Sequence, residues 1–302
     1  MINAPRMIID GVTFPETPRW HAGRNAWYFV DIDEGQVFEL KDFTSSPRLL
    51  YRFNALISGV TFDDHDGFFV TTNRGEVPAS IQHLTGALTG NPQTRQIADL
   101  SDRAVILNDM IRGPSGHLYV GAINFDAIGW FQDPTTPTHP GRVHKVNTED
   151  GTIVDIEGDV FFPNGLIITP DQKNLLMADS FNNRIVKWPL KADGSVGEMA
   201  VWAQFGKEDI VDGMTMDAEG ALWIATGHRL IRSLPGGKIT NEIHIDGLHI
   251  SACMLGGQNG TSLLITGAAS IDRRIIRTQK TGKLYALEVD VPGCALPSLY
   301  KK

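Results

Sequence analysis

The 302-residue sequence predicts an all-β protein with the architecture of a six-bladed β-propeller. The first supporting observation is a segment that returns six times: a polar or small residue, an apolar run, a turn, and a second apolar run that ends in small residues. The second is the spacing of 39 to 56 residues between copies, because repeats of about 40–50 residues with several short strands are typical of propeller blades. The third is that no stretch has the long apolar period of a helix.

The six copies begin at residues that share one position in the repeat: Glu16, Gly59, Asn108, Asn164, Asp212 and Ser251. In the third, fourth and fifth copies, apolar runs of strand length resume at residues 118, 175 and 222, after turns marked by Gly, Pro and Asp. Because a four-stranded blade cannot bury both faces alone, the blades must stack around an axis and their innermost strands must line a channel. We therefore expect the polar openers at 16, 108, 164 and 212 to converge at one mouth of that channel.

The two ends of the chain are predicted to meet in the last blade. The sixth copy extends through an apolar run at 281–289, after which little chain remains. The apolar run at residues 7–9 is expected to add a strand to this blade, which closes the ring and removes an exposed sheet edge. Since no low-complexity linker interrupts the repeats, residues 1–302 are predicted to form a single domain.

Composition limits the possible partners. The formal net charge is −8 with no basic run, which argues against nucleic acid or an anionic membrane surface. No apolar stretch approaches the roughly 20 residues of a spanning helix, and the first residues lack the pattern of a signal peptide. Cys253 and Cys294 are the only cysteines, so no disulfide framework is indicated. We expect a cytoplasmic monomer or small homo-oligomer that acts on a small molecule.

Two carboxylates and two amides at one channel mouth form a set of oxygen ligands. Ca²⁺, Mg²⁺ and Mn²⁺ prefer such ligands, although Zn²⁺ also accepts them, and the nine histidines and two cysteines show no zinc-type spacing. The alternative is that Asn164-Gly165 and Asp212-Gly213 only form turns, as such dipeptides often do. The shared register of the openers favours a metal site, with Ca²⁺ as the first candidate.

Several short segments resemble those of the SMP-30/gluconolactonase family, which includes regucalcin and the luciferin-regenerating enzymes. They are ETPRW at 16–20, ND at 108–109, PNGL at 163–166 and DGM at 212–214, and their order and spacing cover nearly the whole chain. The resemblance implies that Glu16, Asn164 and Asp212 bind one divalent cation. It also implies that Asn108 touches the substrate or the attacking water, and that Asp212 accepts a proton during hydrolysis of a lactone.

One departure from the family pattern concerns the substrate. Sugar-lactone members carry an Arg two positions before the Asn of the ND pair, where this chain has Ile106. An alkyl group removes hydrogen bonds to hydroxyls, so we expect a lactone less polar than an aldonolactone. Asp126, Phe125 and Trp130 are further candidates for substrate contact, in a segment that runs to residue 140 and is predicted to cover the mouth.

Three alternatives remain open at this point. Arg103 could supply the cation that is missing at Ile106, through a shifted loop. The same metal site could act on another electrophile, such as a phosphotriester. A third possibility is a propeller that binds a divalent ion or another ligand without turnover, since propellers carry many functions.

Overall fold

The structure is a computed structural model that describes residues 4–75 and 79–294, and it consists mainly of six four-stranded antiparallel sheets. The first is β2 (Pro15–His21), β3 (Ala26–Asp31), β4 (Gln36–Leu40) and β5 (Arg48–Arg52). The second is β6 (Ala55–Phe62), β7 (Phe68–Gly75), β8 (Ser80–Thr85) and β9 (Gln93–Asp99). The third is β10 (Ile106–Arg112), β11 (Leu118–Ile123), β12 (Arg142–Val146) and β13 (Ile153–Ile156).

The fourth sheet is β14 (Pro163–Ile168), β15 (Asn174–Asp179), β16 (Arg184–Pro189) and β17 (Ala200–Gln204). The fifth is β18 (Met214–Met216), β19 (Leu222–Ala225), β20 (Leu230–Ser233) and β21 (Ile239–Ile243). The sixth is β22 (His249–Gly256), β23 (Ser262–Ala268), β24 (Gly282–Glu288) and β1 (Arg6–Val12). The innermost strands touch in the order β2, β6, β10, β14, β18, β22 and back to β2, which confirms the six-bladed propeller.

The sixth blade is built from both ends of the described chain. β1 pairs antiparallel with β24, in a register that places Arg6 opposite Ala286 and Met7 opposite Tyr285. The prediction that the run at residues 7–9 completes the last blade is therefore confirmed. The pairing gives the outer edge of β24 a hydrogen-bonding partner and closes the ring with strands from distant parts of the sequence.

The core consists of side chains packed between neighbouring blades. Trp20, Trp27, Trp188 and Trp223 are at most 5% exposed, as their apolar strand positions predict. The two cysteines are free thiols, which agrees with the absence of a disulfide framework.

Two short helices interrupt the strands of the described chain: α1 (Ala127–Gln132) between β11 and β12, and α2 (Arg273–Gln279) between β23 and β24. Each begins at an aspartate, Asp126 and Asp272, whose side chain accepts a bond from a backbone N–H of the first turn. No helix in the described part of the chain is long and apolar enough to cross a membrane.

Glycine allows the innermost strands to approach one another closely. A Cβ on Gly165 would lie 2.7 Å from the carbonyl oxygen of Asp212, and a Cβ on Gly213 would lie 2.3 Å from the Cβ of Ala252. Neither glycine has a positive φ, and Asn164 lies inside β14. The alternative that these Asn-Gly and Asp-Gly pairs are turn formers is therefore wrong, because their glycines serve close strand packing.

A buried ion pair connects four blades near the axis. Arg19 of the first blade donates to Asp109 of the third at 2.5 Å, and the two side chains are 6% and 10% exposed. Arg19 Nε also donates to the carbonyl oxygen of Val60 in the second blade at 3.1 Å. Asp109 Oδ2 accepts the backbone N–H of Leu166 in the fourth blade at 3.0 Å. The pair is therefore hydrogen-bonded on both sides, as a stable buried pair requires.

We expect Asp109→Ala to lower the free energy of unfolding by about 3–5 kcal/mol, because it leaves the Arg19 charge buried without its partner. The matched surface change is Glu242→Ala, which removes a partner of Arg229 whose own side chain is 51% exposed, and it should cost less than about 1 kcal/mol. Urea unfolding followed by tryptophan fluorescence measures both. Equal midpoints for Asp109→Ala and the parent protein would contradict the role of this pair.

Candidate functional site

Three of the four polar residues that open the repeats lie at irregularities in the innermost strands, and the fourth, Asp212, lies just before β18. The pairing with the next strand shifts between Glu16 and Arg19 in β2, between Leu107 and Met110 in β10, and between Pro163 and Leu166 in β14. Such β-bulges re-aim side chains and are frequent next to active sites. Asn108 and Asn164 fall within the unpaired stretches, and Glu16 borders one.

The bulges free backbone N–H groups that need acceptors. Asp109 Oδ1 accepts from the backbone N–H of Met110 at 2.7 Å, and Oδ2 accepts from that of Leu166. The Asp109 side chain therefore stabilises the bulges of both β10 and β14. This explains why the sequence places a charged residue directly after Asn108.

The four polar openers share one cavity of about 120 Å³ at the mouth of the channel. Its polar lining combines the predicted residues with four others: Glu16, Asn108, Asn164, Asp212, Ser58, Asn73, His249 and Arg273. The structure thus brings together four openers that span 196 positions of the sequence, from Glu16 to Asp212. Each of the four openers keeps some accessible surface, although all lie deep within the fold.

The two carboxylates of the cavity are electrostatically unfavourable in their charged forms. Burial raises the pKa of Glu16 to about 7, against the opposing effect of the Thr17 backbone N–H, which donates to Oε2 at 2.7 Å. Burial and the nearby charge of Glu16 raise the pKa of Asp212 well above its usual range. A cation placed between the two carboxylates would remove this penalty.

The amides beside these carboxylates are oriented by their donor ends. Asn108 Nδ2 donates to the carbonyl oxygen of Pro163 at 3.0 Å, and Asn164 Nδ2 donates to Ser180 Oγ at 3.3 Å. This leaves the Oδ1 atom of each amide as an acceptor or metal ligand. The described residues contain no cluster of three His, Cys, Asp or Glu side chains suited to a metal. Two carboxylates with amide oxygens nevertheless fit a hard divalent cation.

The walls of the cavity above this polar floor are largely apolar. They are formed by branched and aromatic side chains: Phe14, Ile32, Leu56, Ile106, Ile123, Ile128, Phe131, Phe162 and Ile271. Ile106, the position at which the sequence departs from the family pattern, is among them. Ile128 and Phe131 come from α1, so the segment that was predicted to cover the mouth forms one side of it. A hydrogen bond of 2.9 Å from Asn124 to Pro140 joins the two ends of this segment.

Three residues predicted to contact substrate have other places in the structure. Phe125 is 3% exposed and packs behind the wall, 5.7 Å between ring centroids from Phe181. Trp130 packs on Phe181 as well, at 4.7 Å. Asp126 Oδ1 accepts the backbone N–H of Gly129 at 3.0 Å and begins α1. None of the three lines the cavity, so we correct their assignment as direct substrate contacts.

Arg103 does not compensate for Ile106. Its Nη1 atom lies 3.1 Å from Asp155 Oδ1 on β13, the outermost strand of the third blade. The outermost strand is the farthest from the channel, so the alternative in which Arg103 binds substrate hydroxyls is wrong.

Sequence analysis missed the positive charge of the cavity, which comes from Arg273 at the start of α2. Its guanidinium pairs with Asp33 and lies 5.9 Å above the centroid of the Phe14 ring. A signal was present: residues 273, 274 and 277 are arginines in an acidic chain. In an antiparallel blade the connection from second to third strand returns to the end at which the first strand begins. Position in the repeat alone therefore places α2 at the mouth.

His249 and Ser58 are two further lining residues that the repeat did not single out. Burial lowers the pKa of His249, which keeps its ring neutral at the cavity wall. Ser58 Oγ donates to the carbonyl oxygen of Leu107 at 2.5 Å and joins the second blade to the third.

Comparison with known proteins shows the family of this chain. Residues 14–269 match the model of the SMP-30/gluconolactonase/LRE-like region. The chain belongs to this family. One relative is a pentonolactonase of Haloferax volcanii, 23% identical over 87% of this chain and 84% of the relative. Another is a 6-deoxy-6-sulfogluconolactonase of Pseudomonas putida, 25% identical over 93% of each.

Solved structures of similar proteins agree with the fold. A luciferin-regenerating enzyme superposes with a TM-score of 0.79 at 22% identity, covering 99% of this chain and 100% of that one. A regucalcin from Agrobacterium tumefaciens, described as a calcium-binding protein, superposes with a TM-score of 0.79 at 20% identity, covering 98% and 97%. At these identities the likeness shows the six-bladed propeller.

The raised pKa of Glu16 predicts an unusual pH dependence for the metal-free protein. Between the ordinary pKa of 4.5 and the raised pKa of about 7, Glu16 keeps its proton in the folded state, whereas the unfolded chain has released it. The unfolded state binds fewer protons in this window, so the free energy of unfolding falls as pH rises through it. We expect the melting temperature of chelator-treated protein to fall between about pH 4.5 and about pH 7, and Glu16→Gln to reduce this slope.

Scanning calorimetry in buffers of equal ionic strength measures the slope, and the surface variant Glu242→Gln should retain it. Addition of Ca²⁺ should raise the melting temperature most at the higher pH, where a charged carboxylate gains most from a cation. A melting temperature that does not depend on pH in the metal-free parent would contradict the environment described for Glu16.

Proposed function

We propose that this protein is a divalent-cation-dependent hydrolase that opens a lactone to its hydroxy acid. The observation that carries the proposal is the convergence of Glu16, Asn108, Asn164 and Asp212 at the floor of one apolar-walled cavity. Membership of the family supports it, as do relatives that are named lactonases. The substrate is a small molecule that enters through the mouth of the channel.

Glu16, Asn164 and Asp212 would hold the cation, with Ca²⁺ as the first candidate and Mg²⁺, Mn²⁺ or Zn²⁺ as others. Carboxylate and amide oxygens are the ligands that Ca²⁺ prefers, and the similar regucalcin is described as calcium-binding. When bound, the cation would polarise the ring carbonyl and acidify water. The charge of the cation also compensates the two carboxylates, whose repulsion is otherwise unrelieved.

Asp212 and Asn108 act on the reacting atoms in this proposal. Asp212 uses one carboxylate oxygen to accept the proton of the water that attacks the lactone carbonyl. Asn108 Oδ1, left free by the bond from Nδ2 to Pro163, accepts a hydrogen bond from the attacking water or a substrate hydroxyl. Because this bond and the bulge fix the Asn108 amide, its acceptor is oriented before substrate binds.

The apolar wall determines the class of lactone. Ile106, Ile128 and Phe131 line the same cavity as the four polar openers. Placing an unpaired hydroxyl against such a wall costs about 1–3 kcal/mol. We therefore infer a lactone with an apolar or aromatic substituent rather than a polyhydroxylated sugar lactone.

We expect proton release from a panel of sugar, aliphatic and aromatic lactones, loss of this activity on chelation, and its recovery with a divalent cation. Asp212→Asn should lower kcat by ~10²–10⁴-fold even when metal is retained, because an amide oxygen can still coordinate but cannot accept the proton. The matched control is Asp10→Asn on β1, whose side chain is 54% exposed, and it should retain full activity.

Metal content must be measured on each variant, so that loss of the ion and loss of the base are distinguished. A metal-loaded Asp212→Asn protein that turns over at the parent rate would exclude Asp212 as the base. Hydrolysis of a phosphotriester with no lactone activity would favour the other electrophile. Tight cation binding without turnover of any substrate would favour a binding protein.

We expect the parent protein to have a higher kcat/KM for lactones with an apolar or aromatic substituent than for gluconolactone. Ile106→Arg should shift the ratio of the two values toward the sugar by about 10-fold or more, since it supplies donors for hydroxyls at the cavity wall. Ile106→Leu is the matched control and should keep the parent ratio. Parent activity on gluconolactone that equals that on every apolar lactone would refute the inference from Ile106.

A further inference from the structure

A second depression adjoins the mouth of the cavity on the side of α2. The two share Leu56, Ile128 and Arg273, so a ligand can extend from one into the other. The charged residues that line the depression come from the first blade and from α2: Asp33, Glu34, Arg52, Arg273 and Arg277. Three arginines and two carboxylates thus surround the exit of the apolar cavity.

The positive charges in this depression exceed the negative ones. Asp33, whose side chain is 1% exposed, accepts from Arg273 through Oδ2 and from Arg277 through Oδ1 at 2.7 Å. Glu34 lies 3.2 Å from Arg52 and 3.9 Å from Lys280. Each carboxylate therefore faces two cations, in a chain whose net charge is −8.

The arginines retain hydrogen-bond donors for a ligand. A guanidinium carries five N–H donors. Among the described residues, the bonds to Asp33 use Nη1 of Arg273 and Nε of Arg277. The side chain of Arg277 is 53% exposed, whereas that of Arg273 is 16% exposed and held over Phe14. Guanidinium donors in a fixed orientation match the planar or tetrahedral oxygens of carboxylates, sulfonates and phosphates.

We propose that Arg273 and Arg277 form a subsite for an anionic group on the substrate. This inference rests on the proposed function and specifies it further. The lactone ring lies on the polar floor, its apolar substituent lies along the wall that includes Ile106 and Phe131, and a terminal carboxylate, sulfonate or phosphate reaches the arginines. The substrate is thus an amphiphilic anion, which explains why one site combines an apolar wall with a cationic exit.

The test compares γ-lactones whose alkyl side chains are of equal length and end in a methyl group, a carboxylate or a sulfonate. We expect the Ca²⁺-loaded parent protein to prefer the anionic lactones in kcat/KM. The preference should fall by roughly 10- to 100-fold in Arg273→Met and Arg277→Met, because each removes hydrogen bonds between charged groups. The preference is the ratio of kcat/KM for the anionic lactone to that for the methyl-terminated one, and added salt should weaken it in the parent protein.

Arg274→Met is the matched control on the same helix. Arg274 pairs with Asp272 at 2.5 Å, its side chain is 73% exposed, and it does not line either depression. The preference should be unchanged in this variant. Arg277→Met alters an exposed side chain, so it keeps the test valid if Arg273→Met folds poorly.

Cyclopentanones with the same side chains, which cannot be hydrolysed, separate the subsite from the reaction. Calorimetric titration should show tighter binding of the anionic ketones than of the methyl-terminated one in the parent protein and in Arg274→Met only. If no lactone is hydrolysed but this difference in binding is found, the proposed reaction fails and the anion subsite stands. Equal binding of neutral and anionic ketones, or a preference that survives both Arg273→Met and Arg277→Met, would overturn the subsite.

Discussion

The buried pair of Arg19 and Asp109 is the interaction on which the arrangement of the channel depends. It contacts the backbone of four blades, and Asp109 accepts the N–H groups that the bulges of β10 and β14 leave unpaired. A bulge buried without such an acceptor would carry the desolvation cost of an unsatisfied donor. The ion pair therefore stabilises the irregular backbone that presents Asn108 and Asn164 to the cavity, and the geometry of the site follows from the packing of the axis.

Near the same axis, the negative charges of Glu16 and Asp212 have no cationic side chain, among the described residues, that compensates them as Arg19 compensates Asp109. Arg19 is committed to Asp109, and its charge lowers the pKa of Glu16 less than burial raises it. Asp212 lies near Glu16. Its backbone cannot shift without disturbing the innermost strands, because Gly165 packs closely on the carbonyl of Asp212 and Gly213 packs closely on Ala252. Rigid placement of like charges is unfavourable for the protein alone. It favours a cation, since the repulsion between fixed carboxylates is released on binding.

The sequence predicted the parts of this molecule that repeat. The six copies gave the blade number, the closing strand at residues 7–9 and the convergence of the openers, because blade symmetry places equivalent residues at one height. The sequence did not predict the orientation of side chains in segments that depart from the symmetry of the blades. Periodicity does not determine which side of this short segment faces the cavity. The sequence therefore did not separate Ile128 and Phe131, which line the cavity, from Phe125 and Trp130, which pack on Phe181. Arg273 was missed because the repeated segment does not include the connections between second and third strands, in which both α1 and α2 lie.

The residues at the mouth of the channel lie on two kinds of segment, the innermost strands and the connections between second and third strands. Bulged inner strands hold Glu16, Asn108 and Asn164, where a shift of one side chain disturbs the axis and the neighbouring blade. The connections that carry α1 and α2 pack on the rim and hold Phe131 and Arg273, where a substitution alters the surface that a ligand meets but not the ring of strands. Ile106 is the exception, because it lies on β10 two residues before Asn108. A substitution of Ile106 that alters the preferred polarity of the substrate must therefore preserve the bulge. Only side chains that fit the cavity without moving Asn108 meet this condition.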